Sequence, residues 1–408
     1  MFRKLFILSL ALFMTVTLFA QDGEKCHRYG GYARWYSMGN NPYIVDPVDI
    51  LSNPAYAATY TNFLWGDVGA TGVAANDGVG QFAGFNFRVN KELTVGALLT
   101  RDDFMMPSIG QLDPGNLVAT LNANVPGAAI VPLNNNLELL GAYSIGNITL
   151  GLGVAYASTS NEYKPAAGSG DKNSASQFGV NAGIVAKLTS DMSFNAALSF
   201  FTVGATYEPV APATKVDASQ TFIAVDARMF YKMTSKISLV PAVSFMTASG
   251  KVETTTSTDL PSVMQLGIGV GINYKVGDLI IAGGPKLVME STTTPAVANA
   301  TPELKDSRLL FPSWNLGAEW YFTDWLIGRF GYVADTYSST NEMAASLTTK
   351  DEQTITGHNR GDVRFGLGFR FGGFNLDATV NDDILRDGIG NLSSGKASFA
   401  HVSASYAF

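Results

Sequence analysis

The stretch that decides the fold runs from Asp362 to Phe371 and reads DVRFGLGFRF. Every second residue is apolar, and the residues between are charged or glycine. Because side chains alternate between the two faces of a strand, one face of this strand is wholly apolar and the other is polar or bare. Aromatic residues on one face and arginines on the other are typical of a barrel with lipid outside and water inside. The apolar face consists of Val363, Phe365, Leu367, Phe369 and Phe371.

The same alternation recurs back to residue 64, and short turns join the strands in pairs. Seven short turns give fourteen strands, and further strands near residues 63 to 75 and 396 to 408 bring the count to about sixteen. We therefore predict an all-β fold, a transmembrane antiparallel β-barrel of about 14 to 16 strands over residues 63 to 408. An even count leaves both termini in the periplasm. The short turns lie at residues 90–91, 145–147, 189–191, 234–236, 277–278, 323–324 and 372–373.

Longer polar stretches separate these hairpins and are interpreted as loops on the opposite side of the membrane. Short turns on one side and long loops on the other are the asymmetry of an outer-membrane barrel. The predicted loops lie near residues 102–136, 159–176, 204–218, 248–261, 291–311, 338–359 and 383–395.

The first twenty residues indicate export. Arg3 and Lys4 precede an apolar run, and Ala20 precedes Gln21, which is the pattern of a secretory signal peptide cleaved after Ala20. No later segment approaches the roughly 18 uninterrupted apolar residues of a membrane helix. A membrane location then requires a closed barrel, and the predicted location is the bacterial outer membrane.

Charge and residue counts exclude several functions. The formal net charge of −7 argues against nucleic acid as a partner. Cys26 is the single cysteine, so no internal disulfide can form, and an unpaired or intermolecular thiol is favoured over a lipidated cysteine. The three histidines are far apart in the chain, and we predict no metal and no cofactor. His401 and Ser403 share a strand face, but a hydroxyl-rich lumen wall explains them better than a hydrolase, so we predict no enzyme.

Residues 21 to 62 do not alternate. They are rich in glycine and proline with tyrosines between them, a composition too broken for strands and too aromatic for a disordered tail. We expect this segment to form a compact plug that folds against the lumen.

Two parts of the chain resemble a known family. Residues 33 to 39 read ARWYSMG, residues 46 to 55 read DPVDILSNPA, and the chain ends SYAF. This pattern resembles the FadL/TodX family of outer-membrane transporters of hydrophobic compounds and its relative PorV. The resemblance implies a barrel closed by an N-terminal plug and carrying long-chain fatty acids or other apolar molecules.

On that resemblance, Asn53, Pro54 and Ala55 belong to the plug or to its junction with the first strand. Tyr406 and Phe408 form the C-terminal signal through which the barrel-assembly machinery would recognise the last strand. The chain departs from the family in its strand count, because the family has fourteen strands.

The loop at residues 102 to 136 is unusually apolar for an exposed loop. It could fold inward or form a groove that captures a hydrophobic ligand; alternatively it packs against neighbouring loops and buries its own apolar residues. The candidate ligand residues are Met105, Met106, Ile109, Leu117 and Val118.

Inward-facing arginines could line a pore or clamp a ligand carboxylate. Alternatively they pair with acidic residues across the lumen or anchor the plug, and the mixture of signs favours this second interpretation. The arginines concerned are Arg88, Arg228, Arg329, Arg364 and Arg370.

The function predicted from the sequence is passive uptake of hydrophobic or amphipathic small molecules through an outer-membrane channel. The expected partners are membrane lipid, a hydrophobic ligand and the assembly machinery. Two other functions stay open: a PorV-like barrel that binds a protein partner in secretion, and a general diffusion porin.

Overall fold

A computed structural model describes residues 29–69, 80–104, 106–166, 168–211, 213–297, 300–359, 361–380 and 399–408. The described part is dominated by strands. These are β1 (Phe63–Gly69), β2 (Gly80–Arg88), β3 (Leu93–Arg101), β4 (Asn135–Ile145), β5 (Ile148–Glu162), β6 (Lys172–Lys187), β7 (Met192–Glu208), β8 (Val216–Lys232), β9 (Ile237–Glu253), β10 (Ser257–Asp259), β11 (Ser262–Val276), β12 (Leu279–Thr294), β13 (Leu304–Tyr321), β14 (Leu326–Ala344), β15 (Lys350–His358), β16 (Asp362–Phe371), β17 (Phe374–Val380) and β18 (Phe399–Ala407).

The strands form one closed antiparallel barrel. Consecutive strands pair, except β10 with β11 and β15 with β16, and β1 pairs with both β2 and β18, which closes the sheet. β10 and β11 lie end to end along β9, and β15 and β16 lie end to end along β14. Counting β10 with β11 as one strand and β15 with β16 as another, the barrel has sixteen strands, which confirms the larger count predicted. All seven short turns lie between paired strands.

Alternation between the two faces follows the sequence pattern. On β5, the outward Leu150, Leu152 and Tyr156 are exposed, whereas the inward Ala155 is buried. Outward aromatic residues gather beside the short turn between β13 and β14, where Trp320 is 54% exposed. Exposed apolar and aromatic side chains around the whole exterior require a lipid environment. The part of the chain that the structure describes contains no helix long and apolar enough to cross a membrane.

Five of the predicted long loops are wrong in extent, because strands continue into them. β5 runs to Glu162 and β6 begins at Lys172, so the loop predicted at 159–176 shrinks to residues 163–171. The loops between β7 and β8, β9 and β11, β12 and β13, and β14 and β15 are likewise shorter than predicted. Beyond the apolar belt both faces of a strand are polar, so alternation disappears from the sequence while backbone pairing goes on. The predicted loop at 383–395 lies outside the described residues.

Two segments leave the wall and enter the barrel. Residues 29 to 62, here called the N-terminal segment, contain α1 (Tyr32–Ser37), α2 (Asp49–Ser52) and a 3₁₀ helix (Pro54–Ala58). The loop between β3 and β4, here called the inner loop (residues 102 to 134), contains α3 (Leu117–Asn124). The predicted signal peptide and Cys26 lie outside the described residues.

Candidate functional site

The N-terminal segment lies inside the barrel at the end that carries the short turns. Asn53 anchors it: the amide Nδ2 donates to the carbonyls of Ile184 and Ala196, both at 3.2 Å. The amide Oδ1 of Asn53 accepts from the backbone N–H of Ala55 at 3.1 Å, which caps the 3₁₀ helix that Pro54 begins. Asn53, Pro54 and Ala55 thus lie where the segment touches β6 and β7.

Glycines on the inner wall make room for this contact. A Cβ on Gly183 would lie 1.9 Å from Asn53 Oδ1, and one on Gly151 would lie 2.1 Å from the backbone N of Ala55. A Cβ on Gly271 would meet the ring of Tyr43, and one on Gly366 would meet Ser37. The Gly-x-Gly runs therefore let the N-terminal segment approach the wall backbone closely.

A chain of buried ion pairs fastens the segment to the opposite side of the barrel. Arg34 lies 2.7 Å from Asp46 within the segment and 2.8 Å from Glu319 on β13. Glu319 also lies 2.6 Å from Arg329, which reaches Asp377 at 2.7 Å. These groups are almost fully buried, so losing one of them would leave its partner without compensation. Arg370 is the last member of this series of ion pairs and lies 2.8 Å from Asp377.

A second anchor joins the segment to β8. The guanidinium of Arg228 lies 2.8 Å from Asp49 and donates to the carbonyls of Pro42 and Ile44, both at 3.0 Å. Arg228 thus binds three residues of the N-terminal segment at once.

The remaining two candidate arginines differ. Arg364 lies over the ring of Tyr36, with Cζ 3.8 Å from the ring centroid. Arg88 is exposed at the end of β2 beside the short turn, where its backbone N–H donates to Asn62. The structure therefore places Arg228, Arg329, Arg364 and Arg370 against the N-terminal segment or its ion-pair chain, and Arg88 at the rim.

Asp46 is the group in this network whose charge is most costly. Burial raises the pKa of Asp46 to about 7, against the opposing effect of the Arg34 guanidinium, which it shares with Glu319. The carboxylate also accepts from the backbone N–H groups of Gly31 and Val48. Docking of the segment therefore raises the proton affinity of Asp46.

The inner loop packs inside the barrel against the wall of β5 to β9. Its buried residues Ile109, Leu117, Val118 and Leu121 pack against inward side chains of β5 to β9, including Phe201. Met106 packs near the wall of β1 to β4, and Met105 lies outside the described residues. The apolar residues predicted as a ligand groove are therefore covered by the wall, and their role in capture stays a prediction.

Polar contacts fix the inner loop to the wall and to itself. Gln177 on β6 donates from Nε2 to the carbonyls of Ile109 and Gln111, at 3.2 and 2.7 Å. The carboxylate of Asp113 accepts from the N–H groups of Leu117 and Val118 at the start of α3. Asp113 thus satisfies two amides that the helix itself leaves free.

An aromatic ladder connects the two inserted segments along β1 and β2. Ring centroids are 5.5 Å apart from Tyr60 to Phe63 and 6.3 Å from Phe63 to Trp65. They are 4.7 Å apart from Trp65 to Phe82 and 5.6 Å from Phe82 to Phe104. Tyr60 belongs to the N-terminal segment and Phe104 to the inner loop, so the ladder forms an apolar track between them.

His401 and Ser403 do not form a nucleophile and base. The Ser403 hydroxyl donates to Asp67 Oδ2, and His401 Nδ1 lies 3.3 Å from Asp67 Oδ1. The carboxylate therefore separates the imidazole from the hydroxyl, and the Ser403 oxygen accepts from the backbone N–H of Ala33 at 2.8 Å. Sequence reasoning missed Asp67 because its partners lie more than 300 residues away.

A cavity of about 530 Å³ lies at the barrel end opposite the short turns, along β8 to β12. Its lining is mostly hydroxyl and charged groups, which does not suit an apolar molecule. It is lined by Ser219, Thr221, Ser249, Gly250, Lys251, Asp259, Leu260, Ser262, Thr293, Pro295 and Glu303.

The backbone of this chain is similar to those of several solved structures. No family model matches the sequence, and no curated protein matches it. The toluene transporter TbuX of Ralstonia pickettii has 12% identity and a TM-score of 0.38, with 93% of this chain and 99% of TbuX covered. A FadL homologue of Pseudomonas aeruginosa has 12% identity and a TM-score of 0.38, with coverage of 91% and 96%. The ferric preacinetobactin receptor BauA of Acinetobacter baumannii has 11% identity and a TM-score of 0.44, with coverage of 78% and 53%.

The first two of these structures are of the FadL/TodX kind that residues 33 to 55 resemble. The strand pairing and the apolar exterior define the class of protein. This is a transmembrane β-barrel of sixteen strands with two segments inserted in its lumen.

Proposed function

We propose that this protein is an outer-membrane channel for passive uptake of hydrophobic or amphipathic small molecules, closed at one end by the N-terminal segment acting as a plug. The aromatic ladder from Phe104 to Tyr60 carries this proposal, because it is a continuous row of apolar rings from the inner loop to the plug. The rings are at most 5% exposed, so a cargo molecule would reach them when the plug shifts. It would then move along the ladder and leave. Diffusion down a gradient supplies the driving force.

The way the plug is held supports reversible closure. Its anchors are ion pairs and amide contacts with the wall, through Arg34, Arg228 and Asn53. Such contacts can be exchanged for water when the plug moves, whereas its apolar residues such as Ile50 and Leu51, which pack against the wall, oppose the movement.

A pair of glycine substitutions tests the plug without deleting it. In Gly183→Ala the new methyl group would collide with Asn53, whereas in Gly204→Ala on the neighbouring strand β7 the nearest atom is 3.8 Å away. We expect Gly183→Ala to raise single-channel conductance in planar bilayers toward that of a variant lacking residues 21 to 62, and Gly204→Ala to match the wild type. Mobility on unheated gels checks that each barrel is folded.

Uptake is measured on cells that express the protein. Radiolabelled dodecanol should enter them severalfold faster than cells without it, and Gly183→Ala should alter this rate while Gly204→Ala does not. Equal uptake with and without the protein would contradict the proposal. A large and constant conductance of the intact protein would instead favour a porin, and a stoichiometric protein partner would favour the PorV-like function.

A further inference from the structure

Glu138 is a carboxylate buried in the inner wall without a partner. It points inward from β4 and is 1% exposed, and neither of its oxygens has a hydrogen-bond partner among the described residues. An unpaired carboxylate in such a place is costly. A group placed there at such cost is a candidate for ligand recognition.

Asn181 on β6 faces the same point. Its Oδ1 also lacks a partner within the described part of the chain, and its side chain is fully buried. A Cβ on Gly153, on the strand between them, would lie 2.1 Å from Asn181 Oδ1 and 3.0 Å from Glu138 Oε1. The two oxygens thus converge over one bare glycine.

The site lies at the junction of the two inserted segments. Asn136, two residues before Glu138, donates to the carbonyl of Ile109 in the inner loop at 3.0 Å. Asn181 Nδ2 donates to the carbonyl of Leu51 in the plug at 3.4 Å. Glu138 is therefore bordered by the loop on one side and the plug on the other.

The aromatic ladder is adjacent. Leu98 on β3 pairs with Glu138 in the strand register and packs in the same cluster as Trp65 and Phe82. An apolar body lying along the ladder would thus bring its polar end to Glu138. Aromatic faces also attract a cation that lies close to them.

Neither Glu138 nor Asn181 Oδ1 has a donor facing it among the described residues, which decides the ligand chemistry. An ammonium group has three donors and no acceptor, so it can donate to both side chains, and its charge keeps Glu138 ionised. A carboxylate ligand has no donor for Asn181 Oδ1. We propose that Glu138 and Asn181 form a head-group site for apolar amines, an inference that rests on the uptake function proposed above and narrows its cargo away from fatty acids.

Binding at this site is coupled to the plug. The contact from Asn181 to Leu51 is long, and an ammonium group that engages Asn181 draws the side chain away from that carbonyl. The arrival of cargo thereby loosens one wall contact of the plug.

The test compares three small aromatic ligands that differ only in the polar group: benzylamine, benzyl alcohol and benzoate. Binding to the full mature chain in detergent is measured by calorimetry. We expect benzylamine to bind at least about tenfold more tightly than benzoate, and Glu138→Gln to weaken benzylamine by about tenfold while leaving benzyl alcohol within about twofold. Glu290→Gln is the matched control, an inward glutamate whose carboxylate already accepts from Gln265, and it should bind like the wild type.

The inference is overturned if Glu138→Gln leaves benzylamine binding unchanged, if benzoate binds as tightly as benzylamine, or if benzylamine does not bind. Dodecanol uptake by the same variant separates this result from failure of the channel itself. A Glu138→Gln protein that still takes up dodecanol but loses its preference for benzylamine supports both proposals. A protein that binds benzylamine but admits no dodecanol retains the head-group site and contradicts the channel.

Discussion

Both segments inside the barrel pack against the wall through apolar side chains. The N-terminal segment is fastened in addition by buried charges, above all Arg34 against Glu319. The inner loop is fastened by apolar side chains such as Leu117 and Leu121, packed against the wall. Charged contacts depend on each partner and on pH, whereas apolar burial depends on area. We therefore expect the N-terminal segment to be the part that moves and the inner loop to be the part that stays.

The largest expected effect comes from removing the carboxylate shared by two arginines. Glu319→Ala leaves Arg34 and Arg329 buried without their common partner, which costs about 3 to 5 kcal/mol. The N-terminal segment should loosen, with higher single-channel conductance and faster proteolysis within residues 29 to 62.

The control for this change is Glu342→Ala, which breaks the ion pair with Lys350 at the exposed end of β14. Solvent compensates both charges there, so conductance should not change. Wild-type conductance in Glu319→Ala would show that charge does not hold the N-terminal segment.

A smaller effect is expected in the inner loop. Leu121→Ala removes a side chain that is 2% exposed and should cost about 2 to 4 kcal/mol. Faster hydrogen exchange should be confined to residues 106 to 134. The exposed Thr120→Ala on the same helix is the control. If exchange rises equally in the N-terminal segment, the two regions are one unit and the contrast fails.

The smallest expected effect is that of pH on the N-terminal segment. Docking raises the pKa of Asp46 from an ordinary value near 4 to about 7, so the docked segment binds a proton more tightly than the released one. Docking is therefore favoured as pH falls through 7, and lowering pH from 7.5 to 6.5 should shift the docking equilibrium by about threefold toward the closed state. Single-channel conductance should therefore be lower at pH 6.5 than at pH 7.5. Asp46→Asn should abolish this dependence, and an unchanged slope would assign it to another group.

The barrel was predictable because its signal is local. Alternation in β16 and the turn at residues 372–373 can be read within a few residues, and the same holds for every hairpin. The extent of the strands was not predictable, since Ser158 and Ser160 on the polar part of β5 look the same in a loop as in a strand. The anchors of the N-terminal segment were predictable only as residue types. Asn53 and Arg228 stood out in the sequence, but nothing local links them to Ile184 or Asp49.

Period-two patterning and turn chemistry by themselves determined a rolled antiparallel sheet with an apolar outside, because a strand shows its two faces in its own order of residues. Which side chains meet in the interior was decided only by closure of the barrel. Closure brings β1 beside β18 and places Arg34 against Glu319. Contacts between residues so distant in sequence depend on register and curvature of the whole sheet, which no short stretch of the chain encodes.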